Sequence, residues 1–359
     1  MTLMAVVMAI VAAASVSAKD FKFTEASDLT LTGKLFPDTP NPYHRIDTVR
    51  FKGFTKSESS LVRMSSGIAC AFRTTSTYIS VKTNYLFCRF GTNGNGISQR
   101  GYDLYFKVKG EWVYAASGVN NDNKLEDNLL LIDNLAPGKQ YECLLYLPLY
   151  SELGSVQIGI DPAAVIEPLE NPFRHRIAIF GSSYTHGSST SRAGMAYPAQ
   201  FSRHTGMQML SIGVSGRCLM QDYFCEALCQ AEDIDAFVFD AFSNPDAKMI
   251  KERLFGFIEK LQAAQPGKPL IFQRTIYRGY RPFNLKKEKQ EADKMAMSDS
   301  LMAIAVKKYK DVYYVVPNVV AKEFCTTVDG VHPGDYGHYL WASSIEKPVL
   351  KILRKYGIR

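Results

Sequence analysis

Ile177-Ala178-Ile179-Phe180-Gly181-Ser182-Ser183-Tyr184-Thr185-His186-Gly187 is the stretch around which the rest of the chain is organised. An apolar run of strand length stops at Gly181, two serines follow, and small and polar residues lead into a helical pattern beginning near Ala196. In an α/β protein a strand-to-helix turn exposes a side chain and a row of backbone N–H groups at the carboxyl end of the sheet. A serine in that turn is a candidate nucleophile. Far downstream, Asp329-Gly330-Val331-His332-Pro333 puts an Asp and a His in one Gly/Pro-punctuated loop. Such a pair has the chemistry of a general base and its orienting carboxylate.

Outward from Gly181 the pattern alternates. Apolar strand-length runs occur at His175–Gly181, Gln208–Gly213, Ala236–Phe242, Pro269–Thr275 and Asp311–Val316. Between and after them lie amphipathic segments at Ala196–Thr205, Leu219–Ala231, Ala247–Ala264, Lys286–Lys308 and Asp335–Lys355. Strands alternating with helices predict a parallel sheet covered on both faces, with right-handed crossovers. The expected fold is α/β, a three-layer α/β/α sandwich over residues 175–359, with its site at the carboxyl ends of the strands.

Upstream the period changes to two. Tyr78–Lys82, Asp103–Val108, Trp112–Ala115 and Tyr141–Tyr146 alternate, and Gly/Asn/Asp/Pro clusters such as Thr92-Asn93-Gly94-Asn95-Gly96 separate them. Many short strands at this spacing predict an antiparallel β-sandwich or jelly roll over residues 27–161. Residues 162–174 hold Pro162, Pro168 and Pro172 with little periodicity and read as a linker.

At 359 residues, with 46% apolar and 21% charged side chains, the chain has the composition of a two-domain globular protein. Its net charge of +7 is mild, and no Lys/Arg run is interleaved with aromatics, so no nucleic-acid partner is expected. Residues 1–18 read as a secretory signal lacking a basic start, cleaved after Ala18, which predicts a secreted or periplasmic protein. No later run reaches the about 18 apolar residues of a membrane span. The seven cysteines show no Cys-x-x-Cys spacing, and the six histidines are scattered. Neither a metal site nor, without Gly-x-Gly-x-x-Gly or a P-loop after a strand, a nucleotide cofactor is expected.

Gly181-Ser182-Ser183-Tyr184-Thr185-His186-Gly187 resembles the first block of the SGNH (GDSL-like) hydrolase superfamily, Gly-Asp-Ser-x-Thr-x-Gly, with Ser182 where Asp is usual. Asp329, His332 and Pro333 match the last block, Asp-x-x-His-Pro. Gly101-Tyr102-Asp103-Leu104-Tyr105 is similar to the Gly-x-Asp-Leu-Tyr signature of the N-terminal domain in one secreted branch, which also writes its nucleophile block Gly-Ser-Ser. The resemblance covers nearly all of the mature chain and implies a flavodoxin-like hydrolase domain. It implies Ser183 as nucleophile, His332 as base and Asp329 as its carboxylate. Oxyanion donors would be the Ser183 and Gly216 N–H groups and the Asn244 amide, Gly216 being preferred to Gly213.

Each residue has a plainer use. Gly-Ser-Ser is a common helix cap, Gly216 a strand terminator, Asn244 before Pro245 a turn former, and His332 alone a buried histidine. His186 and His338 are expected to be structural or to sit at the mouth. Arg192, Tyr277 and Tyr280 are candidate substrate contacts by loop position alone. The implied activity is a serine esterase releasing small acyl groups, acetyl foremost, from carbohydrate or another small ester. The rivals are a glycan-binding protein with a relic hydrolase fold, and an acyltransferase or lipase of the same superfamily.

Overall fold

The computed structural model describes residues 19–319 and 325–359; the expected signal lies outside the described residues. The N-terminal half runs β1 (Lys22–Glu25), β2 (Thr30–Thr32), α1 (Lys56–Arg63), β3 (Ala69–Thr74), β4 (Ile79–Cys88), α2 (Gly96–Arg100) and β5 (Tyr102–Val108). It continues through β6 (Glu111–Gly118), β7 (Leu129–Ile132), β8 (Tyr141–Tyr146), β9 (Ser151–Ile160) and β10 (Ile166–Pro168). One antiparallel sheet has the order β1-β9-β4-β7, the other β10-β3-β8-β5-β6 with β2 also on β3. Ile79, Val81, Leu153, Val156 and Ile158 of the first sheet meet Cys70, Phe72, Leu104, Cys143 and Leu145 of the second in one core. Period-two patterning thus built a face-to-face sandwich.

Two local features depart from the sequence reading. The segment read as linker contributes β10, which pairs antiparallel with β3 through Pro168 opposite Phe72. Pro168 is tolerated there because β10 ends the sheet and needs no outward N–H. Helix α1 was not anticipated, although Thr55 and Glu58 spell its capping box: Thr55 N–H donates to Glu58 Oε2 at 2.8 Å while Thr55 Oγ1 accepts from Glu58 N–H at 3.3 Å.

The C-terminal half runs β11 (Arg174–Gly181), α3 (Ser183–His186), α4 (Tyr197–Thr205), β12 (Met207–Gly213), α5 (Asp222–Cys229) and β13 (Ala236–Asp240). Then come α6 (Ala247–Ala264), β14 (Leu270–Gln273), α7 (Leu285–Lys308), β15 (Val312–Val315) and α8 (Asp335–Arg354). The five strands are parallel in the order β12-β11-β13-β14-β15. Ala178 and Phe180 of β11 point to one face, packed with Phe224, Ile250, Leu254 and Phe257 of α5 and α6. Ile177 and Ile179 point to the other, packed with Tyr197, Phe201, Trp341 and Ile345 of α4 and α8. Side chains alternate across a strand, so a continuous apolar run is what a strand covered on both faces requires. The strand order reverses at β11, and the crevice between the loops after β11 and β13 is the ligand position of such sheets.

The two halves share a core. Leu35, Phe51, Val62, Tyr105, Tyr146 and Tyr150 belong to the same buried cluster as Phe180 and Phe224. At its centre the fully buried Arg45 donates to Met64 O (2.8 Å) and Leu61 O on one side, and to Ser211 O (3.2 Å) and Gly213 O (2.9 Å) at the end of β12 on the other. No described helix is long and apolar enough to cross a membrane.

Candidate active site

Gly181 ends β11 against its own turn: a Cβ there would lie 1.9 Å from Thr185 Oγ1, so only glycine lets α3 fold back this tightly. Ser182 caps α3, its Oγ accepting from Tyr184 N–H at 3.2 Å. Ser183 follows as the first residue of the turn, 7% exposed. What fixes the turn is Asp240, the last residue of the neighbouring β13. Its Oδ2 accepts from Ser182 N–H (2.9 Å), Ser182 Oγ (2.6 Å) and Thr185 Oγ1 (3.2 Å), while Oδ1 accepts from Ser243 Oγ. Burial raises the Asp240 carboxyl above its ordinary value against the pull of those donors. One carboxylate therefore ties the loop after β11 to the loop after β13, and Ser182 replaces the usual Asp by donating where that Asp would not.

His332 reaches the serine from the loop ahead of α8. Its Nε2 lies 3.0 Å from Ser183 Oγ and its Nδ1 2.7 Å from Asp329 Oδ2. Asp329 Oδ1 accepts the backbone N–H groups of Val331 (3.0 Å) and His332 (2.7 Å). The carboxylate thus closes the turn that carries the histidine, which explains the two-residue spacer physically. Partial burial works to raise the Asp329 carboxyl, but the His332 N–H, the imidazole and the Val331 N–H outweigh it and hold it below the ordinary value. An ionised carboxylate on Nδ1 puts the ring hydrogen there and leaves the Nε2 lone pair for the Ser183 hydroxyl. The side chains are 20% (His332) and 34% (Asp329) exposed, so the site is open to solvent.

Gly216 sits in the turn closed by Arg217 N–H to Val214 O at 2.9 Å, at φ 70°, the left-handed region that favours glycine. Gly213 is different: it is the last residue of β12, and a Cβ there would meet the His186 backbone at 2.2 Å. Gly216 is exposed at the rim, whereas Gly213 serves close packing. Asn244 Oδ1 accepts from Cys218 N–H at 3.2 Å, which leaves the amide nitrogen as the donor end of the side chain. Its peptide is clamped from behind, since Ser243 O accepts from Arg278 Nη2 (2.6 Å) and Lys294 Nζ (3.2 Å). Glu291 neutralises both cations at 2.9 and 2.7 Å. Burial, with Arg278 next to it, lowers the Lys294 ammonium to about 8 despite Glu291.

His186 and His338 are structural. His186 is fully buried, bonded to Leu149 O at 2.7 Å and stacked on Tyr150 at 4.2 Å, and burial drives it well below its ordinary value. His338 accepts Tyr197 N–H on Nδ1 (3.2 Å) and donates from Nε2 to Ser188 O (3.2 Å); burial takes it to about 4, so it is neutral. Arg192, a candidate substrate contact, is engaged across the two halves. It donates to Tyr105 Oη at 2.9 Å, lies 3.4 Å from Asp103 and covers the Tyr114 ring at 4.3 Å. Asp103 Oδ2 also accepts Gly194 N–H at 2.8 Å, so Asp103 and Tyr105 fasten the halves together. Tyr280 lies along Gly330, its N–H donating to Gly330 O at 3.4 Å, and Tyr277 lies under the Arg281 guanidinium at 4.3 Å.

Sequence reasoning did not single out Asp240, Arg278, Glu291, Lys294 or Asn93. A carboxylate directly after four apolar strand residues was the available signal for Asp240, because a buried acid needs donors. The ion cluster on α7 and the Asn93 loop carried no comparable signal.

Residues 174–351 match the GDSL-like lipase/acylhydrolase family, and residues 21–166 match the N-terminus of SGNH-hydrolase-type esterases. A protein of Bacteroides ovatus ATCC 8483, described as a GDSL-like lipase, is 32% identical with a TM-score of 0.88, over 93% of this chain and 98% of its own. The salicylyl-acyltransferase of a tetracycline biosynthetic pathway is 17% identical (TM-score 0.68, 94% and 99% covered). A family two carbohydrate esterase from Cellvibrio japonicus is 12% identical (TM-score 0.58, 93% and 98% covered). These last two share the fold. No curated protein matches the sequence. The chain belongs to the GDSL-like lipase/acylhydrolase family and is a carboxylic ester hydrolase whose N-terminal half is that of SGNH-hydrolase-type esterases.

Proposed function

We propose that the protein is an exported serine esterase that removes small acyl groups, acetyl foremost, from carbohydrate. The observation that carries this reading is the hydrogen-bonded chain from Ser183 Oγ through His332 to Asp329. In the reaction Ser183 Oγ attacks the ester carbonyl carbon as His332 Nε2 takes the hydroxyl proton. The oxyanion so formed accepts from the Ser183 and Gly216 N–H groups and the Asn244 amide nitrogen. Collapse expels the alkoxide, which His332 protonates, leaving an acyl-Ser183. Water then attacks that ester with His332 again as base, releasing the acid and restoring the serine. Asp329 stabilises the imidazolium in both halves without itself taking the proton.

A carbohydrate substrate is supported by the fold shared with a carbohydrate esterase, and by an open site suited to a group projecting from a polymer. Incubating the protein with a panel of acetylated glycans should release acetate, detectable by mass spectrometry. Turnover of p-nitrophenyl acetate with no release from any glycan would remove the sugar assignment, and a mass gain on an acceptor sugar would make the protein a transferase. The Asn244 assignment has its own test. Loss of one such donor costs about 10²–10³ in kcat, so Asn244→Ala should lower kcat by that order with KM little changed. A folded Asn244→Ala protein with wild-type kcat would reduce Asn244 to a turn residue.

A further inference from the structure

One group on His332 comes from the other half of the chain. Asn93 lies in the loop between β4 and α2, and its side-chain amide nitrogen is placed 3.3 Å from His332 Nδ1. The Nδ1 hydrogen goes to Asp329, so Nδ1 has no lone pair for an amide donor. The contact is therefore consistent with the amide turned over, its oxygen sharing that hydrogen with Asp329, a choice made by the network because the two amide ends look alike. The loop is held at both sides. Ser189 Oγ donates to Asn93 O (2.6 Å), Gly91 N–H donates to Gln99 Oε1 (2.9 Å), and Arg89 N–H donates to Tyr150 O (3.1 Å). Asn95 caps α2 immediately after it, accepting Ser98 N–H at 2.8 Å. Asn93 is thus delivered to the imidazole by a tethered turn, not by a chance surface contact.

We infer that Asn93 is a positioning residue for His332, so that the N-terminal half completes the base of the esterase site. This rests on the Ser183–His332–Asp329 reading above. Asp329 alone grips the imidazole at one point, about which the ring can still swing. A second acceptor on the same edge limits that swing and keeps Nε2 aimed at Ser183. Among the described residues, the other titratable groups facing His332 are Tyr184, whose ring meets it edge-on at 5.9 Å, and the buried His338 on α8. Neither bonds Nδ1.

The test is steady-state kinetics on p-nitrophenyl acetate across pH for the wild type, Asn93→Leu, Asn93→Asp and Ser183→Ala, with a melting curve for each. Asn93→Leu keeps the size and removes the acceptor; kcat should fall about three- to tenfold, the worth of one net hydrogen bond, with KM and Tm little changed. Asn93→Asp sets a negative charge beside the imidazole and should move the acid limb of kcat/KM up by about one pH unit, as a nearby opposite charge does. A loop that does not bring residue 93 to the imidazole would leave that limb in place. Wild-type kcat in Asn93→Leu, or an unmoved acid limb in Asn93→Asp, overturns the inference while Ser183→Ala remains inactive. Wild-type turnover by Ser183→Ala would overturn it together with the reading it rests on.

Discussion

Ser183→Ala is expected to lose ester turnover by on the order of 10⁴-fold or more, with the fold unchanged. The hydroxyl stands 3.0 Å from His332 Nε2. Ser182, one residue earlier, is committed to Asp240 at 2.6 Å and to capping α3, so its oxygen is not offered to a substrate. Ser182→Ala should instead cost about 1 kcal/mol in stability, as the loss of a helix cap does, and keep much of the activity. A fluorophosphonate probe with mass spectrometry should label Ser183 in the wild type and in Ser182→Ala. Labelling of Ser182 would reverse the assignment.

Arg45→Met should be the most destabilising single change away from the site. The guanidinium serves four carbonyls in a fully buried position, two from the N-terminal half and two from β12. Methionine fills most of the volume but leaves Leu61, Met64, Ser211 and Gly213 oxygens without that donor. Each buried carbonyl left without its donor costs about 1–3 kcal/mol, and a total of about 3–5 kcal/mol corresponds, for a chain of this size, to a Tm lower by roughly 4–7 °C. Arg45→Lys should recover little, since an ammonium lacks the planar fork that reaches four oxygens. A melting curve on Arg45→Met within about 2 °C of the wild type would show that Arg45 does not hold the halves together.

The parallel sheet was legible in the sequence because a strand covered on both faces is apolar along most of its length. Ala178 and Phe180 face one helical layer, Ile177 and Ile179 the other, and the run had to be apolar throughout. Helix α6 coincides with its expected bounds because Asp246 at its N-cap, accepting Met249 N–H at 2.8 Å, marks its start within a clear amphipathic period. Strands β13 and β14 are shorter than their apolar runs: Ala241, Phe242 and Thr275 are buried in loops after the sheet ends. Hydrophobicity reports burial, not pairing, so an apolar loop under the site reads as more strand.

The Ser183 and Asp329–His332 segments could be picked out because each is local, a turn whose chemistry is written in a few consecutive residues. What the sequence by itself determined is therefore the layered α/β hydrolase half, the β half before it, and the residues that carry local chemistry. Only the tertiary structure decided which distant groups hold them. Asp240 grips Ser182 across 58 positions, Lys294 reaches Ser243 across 51, and Asn93 reaches His332 across 239. A buried polar group needs a partner, but any donor or acceptor brought near by the packing will satisfy it. The composition of a segment records that need and not the identity of the partner.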